Sequence, residues 1–257
     1  MTPTCGGFLS PPSMPPHAGT GDADSITPVG PSYTSPVATE LVSRVVWHGV
    51  SCSLRWSRAP HLYSQNMCAI DLLLSNHSAN DVTNIRIHKK TLTGSRNIHD
   101  FAPVPLLCPS ASVTVTLGVD FADTIQPIEF TIGGSIGEVP VSITPPVGEL
   151  MRSVTMSQTR WDSEHKKLRG MTECDKKAVK VEDDQVICKR VFETANVAAI
   201  TSTGDFLRFA GRMMSSQELV LLAVRSEADS SRVTASCANM AIASMLANHV
   251  AHALART

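Results

Sequence analysis

The chain has 257 residues with 42% hydrophobic and 18% charged side chains, a composition typical of a protein that buries a core and not of a wholly disordered one. Its formal net charge of −1 gives no basic footprint for nucleic acid or for anionic lipid, so neither is expected as a partner. The longest apolar runs, such as residues 219–224, are far shorter than the roughly 20 residues of a membrane helix, so we expect no direct membrane insertion.

The first segment, residues 1–39, is rich in proline. It holds half of the chain's 16 prolines, including the pairs at 11–12 and 15–16, with Gly, Ser and Thr between them. Few of its side chains could fill a core. Such a composition is typical of a flexible linker, so we predict a disordered, hinge-like linker over residues 1–39.

Residues 45–143 alternate between apolar and polar positions, the period of strands with one buried face. Turn-forming residues separate the apolar runs, as at 76–81 and 133–135. The pattern predicts six strands, marked by Cys52, Leu54 and Trp56; by Cys68, Ile70, Leu72 and Leu74; by Ile85 and Ile87; by Val113, Val115, Leu117 and Val119; by Ile128, Phe130 and Ile132; and by Val139, Val141 and Ile143. Short strands at this spacing predict an immunoglobulin-like β-sandwich over residues 40–145.

The alternation stops at the sequence ITPPVGEL, residues 143–150. Pro145 and Pro146 lack backbone donors and favour extended geometry, so neither a helix nor a central strand can pass through them. We therefore predict an ordered joint between two packed units, with Val147 and Leu150 packing across the boundary.

The remaining residues, 146–257, mix helical and strand-like patterns. Ser157 is a natural N-cap for a helix through about Lys167, and a second helical stretch covers 185–195. Residues 206–213 fit either a helix or a strand whose hairpin partner is 218–225, and 231–235 fits a last strand. The alanine-rich tail, 237–255, predicts a terminal helix. These elements predict a small mixed α+β unit.

One catalytic pattern, Gly-x-Ser-x-Gly, occurs at residues 133–137 and would make Ser135 a nucleophile. The pattern requires a strand, a strained turn and then a helix, whereas a second predicted strand, 139–143, follows here at once. We therefore interpret Ser135 as a hairpin residue. A serine hydrolase using Ser135 is the enzymatic alternative, and it requires a helix after Ser135 and a histidine within hydrogen-bonding reach.

Neither the histidines nor the cysteines follow a metal-binding pattern. The nine histidines are scattered, and the pair His249 and His252 on the terminal helix would need further ligands. The seven cysteines include no C-x-x-C, which argues against zinc and against a disulfide framework. Cys52 and Cys68 fall on predicted buried faces, as small core residues do. We predict no metal and no cofactor.

Several separated motifs, in one order, resemble the C-terminal appendage, or ear, of the beta subunit of adaptor-related protein complex three. They are LGVDF at 117–121, ITPPVGEL at 143–150, Met156 with Ser157, ANVA at 195–198 and RFA at 208–210. The resemblance runs from about Glu40 to the C-terminus. It implies a sandwich followed by a platform subdomain, which is an antiparallel sheet backed by helices, and it favours the hairpin for residues 206–225.

The resemblance also implies a function. Appendages of this family hang from a large trunk by a long hinge, so residues 1–39 resemble a piece of hinge and the trunk is absent. The chain would be a non-enzymatic interaction module that recruits accessory and coat proteins bearing short motifs, and would meet other adaptor subunits through the trunk. It would be cytoplasmic and peripheral on Golgi, endosomal and coated-vesicle membranes, sorting toward lysosomes and related organelles. A purely structural sandwich domain of a larger assembly is the alternative.

The candidate peptide-binding residues are Trp161, Lys166 and Lys167. Adaptor appendages bind short peptides through exposed platform aromatics, which would make Trp161 an anchor; the matching family position resembles a core aromatic, which favours burial instead. Lys166 and Lys167 belong to the densest basic cluster, which could contact acidic peptides or simply end a solvated helix. The related endocytic beta appendage has a ligand-holding tyrosine where this chain has Ala198, and that departure argues against an endocytic type of pocket.

Overall fold

The computed structural model describes residues 25–30, 38–168, 170 and 172–256. The predicted linker, residues 1–39, therefore lies mostly outside the described residues. In chain order the strands are β1 (Thr27–Pro28), β2 (Thr39–Val42), β3 (Val50–Pro60), β4 (Cys68–Asn76), β5 (Val82–Thr91), β6 (Asn97–His99), β7 (Val104–Leu107), β8 (Ser112–Asp120), β9 (Ile128–Gly134), β10 (Gly137–Ile143), β11 (Met151–Thr155), β12 (Glu173–Val179), β13 (Ala198–Ile200), β14 (Phe206–Met213), β15 (Leu219–Ser226) and β16 (Ser230–Cys237). The helices are α1 (Gln158–Lys167), α2 (Asp184–Thr194) and α3 (Met240–Leu254), and a 3-10 helix covers Val147–Leu150.

The first unit is a sandwich of two antiparallel sheets. One sheet has the order β2–β3–β4–β8–β6 and the other β10–β9–β5–β7. All six segments predicted from the alternation form strands, so the predicted β-sandwich is confirmed. The further strands β2, β6 and β7 have only three or four residues each, which is too few to show a period in the sequence.

The alternation decides which side chains fill this sandwich. Leu72 lies opposite Leu54 on one neighbouring strand and opposite Val115 on the other. Leu72 is fully buried, and so are Ile85 and Ile132 from the opposing sheet. Full burial of one such aliphatic side chain contributes about 1.5–3 kcal/mol, so this shared core holds the two sheets together.

The second unit, the platform, is a seven-stranded antiparallel sheet with helices on both faces. Its order is β1–β11–β14–β15–β16–β12, and β13 pairs with β14 as well. Phe209 and Leu222 point into the core that α2 and α3 cover, whereas Ala210 and Leu221 point into a separate cluster with Trp161 of α1. Because both faces are covered, β15 reads as a continuous apolar run rather than an alternating one.

The structure resolves one open assignment and shifts several predicted boundaries by one to three residues. Residues 206–213 form a strand paired with Leu219–Ser226, as the family resemblance favoured. Helix α3 begins at Met240 and not at Cys237, because Cys237 still pairs with Val220 of β15. Asn239 then caps the helix by accepting hydrogen bonds from the next backbone N–H groups. Helix α2 begins one residue earlier than predicted, after its N-cap Asp183.

The joint between the units is packed as the sequence predicts. Pro146 is extended, with φ of −61° and ψ of 140°, and the 3-10 helix follows at once. Val147 and Leu150 are fully buried in one apolar cluster that includes residues of both units. At Gly148 the chain crosses the end of α2 so closely that an added Cβ would lie 2.0 Å from the carbonyl oxygen of Thr194. Only glycine fits at that crossing.

Part of the segment predicted as linker is attached to the platform. Thr27 lies opposite Thr155 and Pro28 opposite Val154, so residues 25–30 extend the platform sheet beyond β11. This strand was not predicted, because a single half-buried side chain, Ile26, carries its packing and leaves no periodic pattern.

Candidate functional site

Helix α1 carries the three residues that the sequence singled out for peptide binding. Ser157 caps the helix, its hydroxyl accepting a hydrogen bond from the backbone N–H of Arg160 at 3.1 Å, as predicted. This cap fixes where the helix starts. Trp161 faces inward, whereas Lys166 and Lys167 are exposed at the C-terminal end.

Trp161 is a core residue. Its side chain is fully buried, and its indole N–H donates to the carbonyl oxygen of Phe209 on β14 at 3.0 Å. The His165 ring stacks on it at 4.8 Å, and the Arg208 guanidinium lies 5.5 Å from its ring centroid. The hypothesis of Trp161 as a surface anchor is therefore corrected: the ring has no accessible face, and the burial that the resemblance favoured is what is found.

Lys166 and Lys167 remain candidates for contacting an acidic partner. The Lys167 ammonium lies 2.8 Å from a carboxylate oxygen of Glu164 one turn earlier, and its side chain is 62% exposed. A surface pair of this kind contributes only about 0–1 kcal/mol, so it could be exchanged for a partner's carboxylate at little cost. Positive charge at this end of α1 also complements the helix dipole, which is the ordinary structural role of such lysines.

Ser135 lies in the turn between β9 and β10. Its hydroxyl accepts a hydrogen bond from the backbone N–H of Thr83 at 3.0 Å, and its own N–H donates to the carbonyl oxygen of Thr83. Strand β10 begins two residues later, so no helix follows the serine. The hydrolase alternative required that helix, and the structure contradicts it.

A buried arginine of the sandwich joins the two units. Arg58 lies near the end of β3, where the pairing with β4 shifts register between Ser57 and Pro60. Its side chain is 1% exposed, and its guanidinium forms a 2.7 Å ion pair with Glu149 of the 3-10 helix. A second nitrogen, Nε, donates to the same carboxylate at 3.1 and 3.2 Å, so the pairing is bidentate.

Arg58 also caps the C-terminus of α2. Its terminal nitrogens donate to the carbonyl oxygens of Phe192 and Glu193, which the last helical turn leaves without partners in the helix. One of them also lies 3.5 Å from the carbonyl oxygen of the C-cap residue Ala195, which accepts from the N–H of Val197 as well. Helix α2 has no basic residue in its own last turn, so the sandwich supplies the cationic cap. One side chain thus fixes the joint and the platform helix relative to the sandwich.

A second contact joins the units on another side. The loop after β8 contains Ala122 and Asp123, both with positive φ near 50°. The Asp123 carboxylate accepts hydrogen bonds from the backbone N–H groups of Ser215 at 2.9 Å and Ser216 at 2.7 Å. Those serines form the turn between β14 and β15. The platform turn therefore holds the loop in a conformation that is rare for residues other than glycine.

An exposed groove lies on the sandwich and was not identified from the sequence. It is lined in part by His61, Leu62, Tyr63 and His99 and encloses about 570 Å³. The Tyr63 ring stacks on His99 at 3.9 Å, while the Leu62 side chain is fully exposed. The pKa of His61 is lowered by its burial and, second, by the nearby His99. The sequence feature that could have indicated the groove is the apolar pair Leu62 and Tyr63, which lies between two predicted strands.

Among the described residues, no group of three or more His, Cys, Asp or Glu side chains is arranged to hold a metal ion. No helix within those residues is both long and apolar enough to cross a membrane. Cys52 and Cys68 are buried, as predicted from the strand alternation.

Comparison with known proteins supports the resemblance. The family model for the C-terminal part of the beta-1 subunit of clathrin-adaptor complex-3 matches residues 1–126. The family model for the C-terminal domain of AP-3 complex subunit beta-1 matches residues 148–254. The two matches together cover most of the chain and lie on either side of the joint.

Individual relatives agree with these matches. The chain is 33% identical to mouse (Mus musculus) AP-3 complex subunit beta-2 over 233 residues, which is 87% of this chain and 22% of that protein. It is 31% identical to human (Homo sapiens) AP-3 complex subunit beta-1 over 198 residues, 76% of this chain and 18% of the relative. The chain thus spans about a fifth of the length of these relatives. It belongs to the family of C-terminal regions of AP-3 complex beta subunits.

Proposed function

We propose that this chain is the appendage of a vesicle-coat adaptor beta subunit and that it acts by binding other proteins, without chemistry of its own. The observation that carries the proposal is the Arg58 network. It joins sandwich and platform through a buried bidentate ion pair and a capped helix. A rigid two-part body of this kind suits a module that presents binding surfaces in a fixed relation to each other.

The proposed partners are accessory and coat proteins that bear short linear motifs. Such motifs bind weakly one at a time, and tethering several on one coat raises their effective concentration. The exposed lysines Lys166 and Lys167 would favour acidic segments, and the groove around Tyr63 would favour apolar ones. Other subunits of the adaptor complex would be reached through the trunk of the whole protein.

The proposed place of action is the cytoplasmic face of Golgi, endosomal and coated-vesicle membranes. There the chain would serve sorting toward lysosomes and lysosome-related organelles. Its nearly balanced charge, 22 basic and 23 acidic residues, fits attachment through partners better than attachment through anionic lipid.

A chimera tests this function directly. The C-terminal region of mouse AP-3 complex subunit beta-1 would be replaced by this chain, in mouse cells that lack that subunit. The level of a lysosomal membrane protein at the cell surface would then be measured against cells that express the trunk alone. We expect the chimera to lower the surface level. A level equal to that of the trunk alone contradicts the proposed function.

A further inference from the structure

Among the residues that the structure describes, one short segment covers the outer edge of β11. Residues 25–30 lie along it in the antiparallel direction, and the N–H of Val29 donates to the carbonyl oxygen of Ser153 at 3.0 Å. Without this segment, β11 would expose backbone donors and acceptors to any extended chain of suitable sequence. The edge therefore has the geometry of a site for strand addition.

The register explains why a proline is accepted there. In an antiparallel pair, residues that exchange hydrogen bonds alternate with residues that do not. Val29 opposite Ser153 and Thr27 opposite Thr155 occupy the bonding positions, which leaves Pro28 opposite Val154 at a non-bonding one. The missing N–H of Pro28 costs no ladder hydrogen bond, and its fixed φ favours the extended form in advance.

One apolar side chain anchors the segment. Ile26 is half-buried and packs against the cluster between the sheet and α1, which includes Val154, Met156 and Trp161. The other five residues of 25–30 are exposed. The apolar cluster that receives Ile26, with the short ladder beside it, favours a particular peptide pattern. That pattern is an aliphatic residue with a proline-tolerant position two residues later.

Within the described part of the chain, this anchor and a short ladder are the main contacts that hold the segment, so a competing peptide could displace it. We propose that the β11 edge is a peptide-docking site that residues 25–30 fill within the chain, and that an extended partner segment of the pattern aliphatic–x–Pro–aliphatic takes their place. This proposal rests on the proposed function, since it gives the interaction module a specific ligand. Residues 25–30 act as a built-in competitor whose tethering raises its effective concentration.

The test uses the full chain and a labelled peptide with the sequence of residues 25–30, Ser-Ile-Thr-Pro-Val-Gly. Fluorescence anisotropy measures the binding of the peptide to the chain. Ile26→Asp in the protein places a charge in the apolar cluster and releases the segment. We expect the peptide to bind this variant about 10-fold or more tightly than the unsubstituted chain, because the internal competitor is lost. Equal affinity for the two chains, or no binding to either, overturns the proposal.

Two altered peptides examine the strand ladder itself. N-methylation of the valine that corresponds to Val29 removes the N–H that meets the Ser153 carbonyl, and we expect binding to be lost. Replacing the proline by alanine changes a non-bonding position and should leave affinity within about 3-fold. Unchanged binding of the methylated peptide contradicts strand addition. A chimera that sorts cargo while the isolated chain binds no peptide would overturn this site and leave the proposed function standing.

Discussion

Arg58 of β3 and Glu149 of the 3-10 helix lie 91 residues apart in the chain and form a 2.7 Å ion pair, with the arginine side chain only 1% exposed. The carbonyl oxygens at the end of α2 complete the hydrogen bonding of the guanidinium. This pair ties the sandwich, the joint and the platform together. A single change here should be costly, because a buried charge that loses its partner has no water to replace it.

Arg58→Ala should lower the free energy of unfolding by about 3–5 kcal/mol, because it leaves Glu149 and the α2 carbonyls without their partner. Urea denaturation followed by circular dichroism measures this change. The matched control is Arg55→Ala on the same strand, which removes the 2.7 Å pair with Asp71 from a side chain that is 48% exposed. That control should cost about 0–1 kcal/mol, and equal losses for the two variants would show that the joint does not depend on Arg58.

Gly148→Ala should also be strongly destabilising, since the new methyl group would lie 2.0 Å from the Thr194 carbonyl oxygen. Relief requires the joint to move away from α2, at a cost of about 1–3 kcal/mol or more. Thermal unfolding compares it with Gly30→Ala, where no atom of the described residues lies within 4 Å of the added carbon. A midpoint unchanged by Gly148→Ala would mean that the joint and α2 do not touch in solution.

Trp161→Ala should cost about 3–5 kcal/mol, because it empties the cluster between α1 and the sheet and leaves the Phe209 carbonyl without its indole donor. Lys166→Ala and Lys167→Ala should each stay within about 0.5 kcal/mol of the unsubstituted chain. Chemical denaturation separates these outcomes. An unchanged midpoint for Trp161→Ala would mean that the tryptophan is not in the core. If the midpoint falls as expected, a binding partner that this variant loses need not contact Trp161 directly.

Thiol labelling should divide the cysteines by burial. Burial raises the pKa of Cys52 to about 12, and it also raises the pKa of Cys237, so almost no thiolate is present at neutral pH. Of the six cysteines in the described residues, Cys108 is the exposed one and should react first with a maleimide, as read by peptide mass spectrometry. In denaturant, Cys52 and Cys237 should react as fast as Cys108. Rapid labelling of Cys52 in the native chain would contradict the packing of β3.

Stability should fall in mild acid, in part through His61. Its pKa in the folded chain is lowered, so between that value and the ordinary value of about 6.5 the unfolded chain binds more protons. Stability therefore rises with pH across this window and loses the His61 contribution as pH falls through it. Urea titrations at several pH values give the free energy of unfolding as a function of pH. Below pH 6.5 this free energy should change less steeply with pH for His61→Gln than for the unsubstituted chain. An unchanged slope would show that His61 is solvated in the folded chain.

The strands of the sandwich were predictable because alternation is a local property. From Cys52 to Leu54, for example, each residue indicates its face by its own polarity, and the sheet needs only that pattern to bury one side. The caps were equally local, since the hydroxyl of Ser157 satisfies a backbone N–H three residues away. The short strands β6 and β7 and the two-residue β1 have no such period and could be found only through their partners.

By itself, the sequence determined where apolar and polar residues alternate as in strands or repeat as in helices. It also carried the proline joint and the family motifs, and these together indicate the two-part architecture of the chain. Only the tertiary structure decided three features: which groups pair with the charge of Arg58, which side of α1 faces the sheet, and where residues 25–30 attach. Each depends on groups far apart in the chain that meet only after the sheets have formed. No local pattern in the sequence encodes which distant carbonyl, carboxylate or strand edge will be the partner in each of these contacts.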